Sequence, residues 1–170
     1  MKIIVFGTER CKFCKIQQKY LENHFNSDEW MYVDVVKDME NLKIASSVNI
    51  DKLPTVVLLN EKNKEIYRKE GTLSPDKIFQ ILEGNSKLPI FEDDTKGEVI
   101  LSYDPKFVIE ETIKAYSING KYLYDVKIKS CKRIRTRNIN ADKKDRYMKR
   151  GGRKDFCWIV NFTLVGGKKE

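Results

Sequence analysis

Cys11 and Cys14, with only Lys12 and Phe13 between them, are the residues of this chain best placed to do chemistry. Two cysteines at this spacing suit a dithiol that closes to a small disulfide ring. They also suit half of a zinc site, whose other thiolates would be Cys131 and Cys157. The second pair lacks the short spacing of a zinc knuckle, which favours the redox reading. If a helix begins at the pair, the first sulfur sits beyond the helix end and the second lies within its reach. Unpaired N–H groups, the positive end of the helix dipole and neighbouring Arg10, Lys12 and Lys15 would then lower the pKa of Cys11. His24 falls near the exposed side of that helix and is expected at the surface.

The elements around the pair alternate between two periodicities. Lys2 to Gly7 is a short apolar run, as in a strand buried on both faces. Phe13, Ile16, Tyr20, Leu21 and Phe25 recur at helical spacing. Trp30 to Val36 reads as a second strand. Met39, Leu42, Ala45 and Val48 predict the buried stripe of a second helix. Thr55 to Leu59 and Glu65 to Glu70 follow as strands around a polar turn at 60–64. Ser74 as cap, Pro75 in the first turn, Asp76 near the positive end and Gly84 at the end mark a third helix, with Ile78, Ile81 and Leu82 as its apolar stripe. The expected order is β-α-β-α-β-β-α.

With Cys11-Lys12-Phe13-Cys14 between the first strand and the first helix, residues 1–86 resemble the thioredoxin and glutaredoxin superfamily. Val48 to Val56, which contains Leu53-Pro54-Thr55, is similar to the segment carrying the family's cis-proline. Gly71-Thr72-Leu73-Ser74 resembles the turn before the last thioredoxin helix, and Phe13 is similar to the aromatic of a glutaredoxin motif. The resemblance implies a thioredoxin-like α/β fold with Cys11 as attacking thiolate and Cys14 as the thiol that resolves the mixed disulfide. It implies a substrate-binding surface of Lys12, Phe13, Leu53, Pro54 and Thr55, with Pro54 cis. The partners it implies are a disulfide-containing protein and a reductase or small-thiol electron donor. No cofactor and no metal are called for.

The 170 residues suffice for one medium domain or two small ones, and 41% apolar with 34% charged residues is the composition of a folded chain. No apolar run approaches the roughly 18 residues of a spanning helix. The start of the chain lacks the apolar region and cleavage site of a signal peptide, so no membrane partner and a cytoplasmic location are expected. Residues 1–88 hold 14 Lys and Arg against 13 Asp and Glu, a net of +1, whereas residues 89–170 hold 19 against 12, a net of +7. Gly84 to Pro89 has the composition of a linker, and the domains are expected at 1–86 and 87–170.

The second half reads as a small, mainly antiparallel β domain. Residues 121–129 alternate strictly, Phe156 to Leu164 alternates too, and Glu98 to Tyr103 is a third strand. Residues 104–116 have helical spacing, but Asn119-Gly120 is the preferred two-residue hairpin turn, and the hairpin is favoured. Pairing across it sets Lys114 opposite Asp125, Ile113 opposite Val126 and Ala115 opposite Tyr124.

Lys121 to Lys154 carries 14 basic and 3 acidic residues, just after the acidic patch Glu92-Asp93-Asp94. Arg133, Arg135 and Arg137 lead into Lys143, Lys144, Arg146, Lys149, Arg150, Arg153 and Lys154, which read as a flexible basic loop able to meet nucleic acid or an acidic protein. Two functions follow. One is a thiol–disulfide oxidoreductase whose basic domain docks a partner. The other is a non-enzymatic adaptor that binds through the basic domain alone.

Overall fold

The computed structural model describes residues 2–84, 86–92, 94, 97–152 and 155–167. Among these residues it is a mixed α/β protein with two mixed sheets and four α-helices. The chain forms two compact units, Met1–Leu73 and Ser74–Glu170. The division precedes the third helix, whereas the sequence suggests one after it, near residue 86. Among the described residues no helix is long and apolar enough to cross a membrane.

The first unit contains β1 (Lys2–Gly7), α1 (Lys12–His24), β2 (Trp30–Asp34), α2 (Met39–Ser47), β3 (Thr55–Leu59) and β4 (Glu65–Glu70), and its sheet has the order β2-β1-β3-β4. β1 runs parallel to β2 and antiparallel to β3, and β3 runs antiparallel to β4. The apolar run of β1 is buried on both faces, as strand alternation requires. Ile3 and Val5 lie opposite Leu58 and Val56 on one face, while Phe6 joins Val33, Val35, Ala45 and Val57 in a cluster on the other. The Leu53–Pro54 peptide is cis.

α2 departs from its expected burial. Asp38 caps it by accepting from the Asn41 N–H at 2.8 Å, yet Met39 is 66% and Leu42 45% exposed. Only Ala45 is fully buried. The helix meets the sheet through its C-terminal half, where Ala45 and Val48 pack, so its first turn projects past the cluster.

The second unit contains α3 (Pro75–Glu83), β5 (Lys87–Ile90), β6 (Glu98–Leu101), β7 (Thr112–Ser117), β8 (Tyr122–Arg135), α4 (Ala141–Lys149) and β9 (Phe156–Gly167). A 3₁₀ turn, Thr136–Asn138, follows β8. The sheet order is β5-β7-β8-β9-β6, antiparallel except for the parallel pair of β5 and β7. Most of the expected linker is therefore ordered structure. Gly84 ends α3 at φ +83°, and Lys87 starts a strand, with Asn85 outside the described residues.

The hairpin has the register that residue pairing predicts, with Lys114 opposite Asp125, Ile113 opposite Val126 and Ala115 opposite Tyr124. Its loop is longer than expected. A bulge after Ala115 brings Tyr116 opposite Tyr122, and the loop becomes Ile118-Asn119-Gly120 with Gly120 at φ +92°. That is the three-residue form, in which glycine takes the left-handed position.

Two clusters share β8. Leu88, Val99, Leu101, Ile113, Val126, Ile128 and Val160 form the larger. Ile100, Tyr147, Cys157 and Ile159 form the smaller, beneath α4. α4 replaces the loop expected over the basic segment. Asn140 caps it by accepting from the Lys143 N–H at 2.8 Å, and the pairs Asp142–Arg146 (3.4 Å) and Asp145–Lys149 (3.0 Å) brace consecutive turns.

The link from α3 to the sheet is polar and buried. Asp76, 1% exposed, accepts from the Ser102 backbone N–H at 2.6 Å and from its hydroxyl at 2.7 Å. Replacing Asp76 by Ala leaves both donors without their carboxylate and is expected to cost about 2–4 kcal/mol, read as a lower urea midpoint at unchanged slope. A loss below about 0.5 kcal/mol, the size of an ordinary surface substitution, would show the link to be dispensable.

Candidate functional site

The Cys pair is set where β1 hands over to α1. After Gly7 the chain turns at Thr8, whose carbonyl accepts from the Cys11 N–H at 3.2 Å and whose hydroxyl accepts from the Arg10 N–H at 3.1 Å. Cys11 is then the N-cap of α1, where a side chain accepts a donor that the helix leaves unpaired. Its sulfur accepts from the Cys14 N–H at 3.2 Å, and the two cysteines are joined by a disulfide across a Cα separation of 5.2 Å. The sulfurs differ in access: Cys11 is half-buried, while Cys14 is fully buried. Lys12 and Phe13 are exposed between them.

Gly7 makes this packing possible. A Cβ there would collide with the Tyr32 hydroxyl and lie 2.9 Å from Cys14 Cβ and 3.0 Å from its Sγ. The Tyr32 hydroxyl and the Cys14 sulfur therefore crowd the same small space behind the disulfide. Partial burial, with Asp34 and Glu9 nearby, raises the Tyr32 pKa, so at neutral pH the phenol remains a hydrogen-bond donor. Sequence reasoning missed Tyr32. Its only signal is the parallel register of β1 and β2, which sets Val5 against Tyr32 and Gly7 against Asp34.

Beside the Cys11 loop lies an open cleft of about 550 Å³ bordered by Thr8, Arg10, Lys15, Tyr32, Asp34 and Lys37. The cis-proline segment reaches the same end of the sheet, because Thr55 at the start of β3 pairs with Phe6 near the end of β1. Three of the residues expected to contact substrate are already engaged. The Thr55 hydroxyl donates to the Lys52 carbonyl at 2.6 Å, the Pro54 carbonyl accepts from the Gly71 N–H at 2.7 Å, and Leu53 packs against the α2 side of the sheet.

The other two cysteines lie in the second sheet, Cys131 opposite Val160 and Cys157 opposite Ile134. Counting along β8, these registers put the two thiols on opposite faces, so they cannot jointly complete a metal site with the first pair. Both are free, and burial raises the pKa of each.

The basic candidates separate into two groups. Arg146 and Arg150 are buried, Arg146 beside Glu98 at 3.3 Å and Arg150 against the Ile100 carbonyl at 3.1 Å and the Asp94 carboxylate. Lys143 reaches Glu98 at 3.0 Å, and Lys149 is paired with Asp145. Lys143, Arg146 and Arg150 tie the α4 segment to β6 and Asp94, while the Lys149 pair is exposed and lies within the helix. Arg133, Arg135, Arg137 and Lys144 are exposed, while Arg153 and Lys154, like Asp93 of the acidic patch, lie outside the described residues.

No protein-family model and no curated protein matches this chain. A solved structure described as that of a malarial protein is similar at 21% identity and a TM-score of 0.37, over 46% of this chain and 89% of that one. At that score the likeness carries no argument about function.

Burial sets the reactivity of the two free thiols. At pH 7.5 in the folded protein, Cys131 and Cys157 are expected to alkylate with iodoacetamide at least about tenfold more slowly than in urea, with Cys157 the slower. Peptide mass spectrometry reads both rates. Labelling of folded Cys157 as fast as in urea would contradict its packing beneath α4.

Proposed function

We propose that the first unit is a thioredoxin-like thiol–disulfide oxidoreductase. The observation that carries this reading is the asymmetry of the Cys pair. A half-buried Cys11 sulfur caps a helix N-terminus, and a fully buried Cys14 is bonded to it from behind. The β2-β1-β3-β4 order of the sheet, with α1 leaving directly from the Cys pair, supports the fold assignment.

In the reduced protein the Cys11 thiolate faces solvent, held by the Cys14 N–H and the helix end. It attacks one sulfur of a substrate disulfide, forming a mixed disulfide and releasing the other substrate sulfur as a thiolate. Cys14 then passes its proton, through water, to the released substrate thiolate and attacks the Cys11 sulfur. The Cys11–Cys14 bond forms, the bond to substrate breaks, and the second substrate thiolate leaves. Two electrons have passed to the substrate, and a reductase or small thiol returns them. Tyr32 is a positioning residue: its hydroxyl and Cys14 share the space that a Gly7 side chain would fill, and from there it would donate to Cys14 as that sulfur becomes negative. Lys12 and Phe13 flank the reacting sulfur, while Leu53, Pro54 and Thr55 offer mainly backbone to an extended substrate. The second unit docks the partner away from its arginine face, and the reaction takes place in the cytoplasm.

With dithiothreitol as donor and insulin as substrate, the wild-type protein is expected to speed disulfide reduction. Cys11→Ser should abolish the effect, and Cys14→Ser should accumulate the mixed disulfide, seen by intact mass. An unchanged rate for Cys11→Ser would sink the proposal.

In the protein with both cysteines, Tyr32→Phe should slow resolution of the mixed disulfide by Cys14 about three- to tenfold, the size of one lost hydrogen bond to a charged sulfur, and leave alkylation of Cys11 unchanged. Equal slowing of both steps would mean that the phenol merely supports the fold.

A further inference from the structure

The strand pair β8 and β9 ends in a surface that disulfide chemistry does not use. Residues directly opposite in an antiparallel pair share a face. Ile134 and Cys157 are one such pair, and with Ile159 they meet Tyr147 of α4 on the covered face. The alternate pairs are Arg133 with Trp158 and Arg135 with Phe156. These occupy the opposite face, and both arginines are exposed.

The two kinds of side chain are organised together. The Arg133 guanidinium lies 3.8 Å from the centre of the Phe156 ring and 6.0 Å from that of Trp158, and Arg135 lies 5.6 Å from Phe156. Past the strand end, a hollow of about 350 Å³ is lined by Arg135, Thr136, Arg137, Asp155 and Phe156. That volume lies at the lower end of the roughly 300–1,000 Å³ of small-ligand sites. Its wall is fixed by Thr136, whose N–H and hydroxyl both donate to the Asp155 carbonyl, at 2.9 and 3.2 Å.

Charge balance distinguishes this face from the rest of the basic segment. Lys143, Arg146, Lys149 and Arg150 are matched by Glu98, Asp142, Asp145 and Asp94. None of the ion pairs seen among the described residues includes Arg133, Arg135 or Arg137. Three arginines outside those ion pairs are therefore gathered beside two half-buried aromatic rings, whereas Lys132 and Lys144, also outside them, stand apart from the rings.

We propose that this face binds single-stranded nucleic acid. Arg135 and Arg137 meet phosphates, while Phe156 and the guanidinium plane of Arg133 offer stacking surface to one or two bases, the first seated over the hollow. An acidic protein would satisfy the arginines but would make no use of ring and guanidinium planes. A duplex would present its phosphates with its bases already stacked. The aromatic content is thus what selects the partner. The site lies within the second unit and is independent of the Cys pair.

The test is fluorescence anisotropy of a labelled twelve-nucleotide thymidine oligomer, and of its uridine counterpart, titrated with the full chain. At 50 mM salt a Kd below about 10 µM is expected, weakening as salt rises. Arg135→Ala with Arg137→Ala should weaken binding at least tenfold and flatten the salt slope by about 1.4, at about 0.7 per lost phosphate contact. Phe156→Leu, which keeps an apolar side chain in place, should weaken it about tenfold, the loss of one stacked base. Lys144→Glu, on α4 over the other face, and Cys11→Ser should each change Kd less than twofold. Circular dichroism melting confirms that each variant is folded.

Absence of salt-dependent binding overturns the proposal. So does a loss with Lys144→Glu equal to that with the arginine pair, which would mean diffuse attraction. An unchanged Kd for Phe156→Leu, with polyglutamate displacing the oligomer as well as unlabelled oligomer does, would also overturn it and assign the face to an acidic protein.

Discussion

The Cys pair depends on a methyl group that is not there. At Gly7, where β1 ends, the place of a side chain is taken by the Tyr32 hydroxyl and the Cys14 side chain. Any larger residue would have to push the Cys14 sulfur, the first turn of α1 or β2 out of place, and in a packed interior such displacements typically cost about 1–3 kcal/mol. Everything that makes the pair asymmetric follows from this close approach. Cys14 is buried because it fits against bare backbone, and Cys11, three residues earlier, is left as the cap at the more open end of the helix.

Much of this arrangement is legible in the amino-acid order because it rests on local rules. A cysteine before a run of helical spacing marks the cap. The apolar alternation of 122–128 fixes which residues of β8 face the core, and with Asn119-Gly120 it fixes the pairing of Lys114 with Asp125. What stays hidden depends on partners distant in sequence. Tyr32 has no local mark of function, and only the register of β1 with β2 carries it behind Cys14. Met39 and Leu42 have the spacing of a buried stripe, but both stay exposed, outside the cluster that Ala45 and Val48 join.

The basic segment shows how charge counts mislead. Its 14 cations look like one surface when read in order. Folding gives some of them structural work, since Glu98 and Asp94, about 50 residues earlier, meet Lys143, Arg146 and Arg150 beneath or beside α4. A buried cation without its carboxylate would be costly, so these arginines and acids are fixed as pairs. Asn140 at the cap and the acid-to-base steps from Asp142 to Arg146 and Asp145 to Lys149 were a local sign of the helix that a reading by charge alone overlooks. What remains after this pairing is a smaller group of cations, and its arginines Arg133 and Arg135 stand beside Phe156 and Trp158.

β8 spans Tyr122 to Arg135, and its ladder with β9 extends from Tyr124 opposite Gly167 to Arg135 opposite Phe156. One end of that ladder belongs to the larger apolar cluster and the other to the cluster beneath α4. Neither cluster can open fully without disturbing a strand that the other also holds. The two halves of the sheet are therefore coupled through the same strands, and the register shift between Ile128 and Ser130, which interrupts the ladder between them, is where amide exchange along β8 is expected to be fastest.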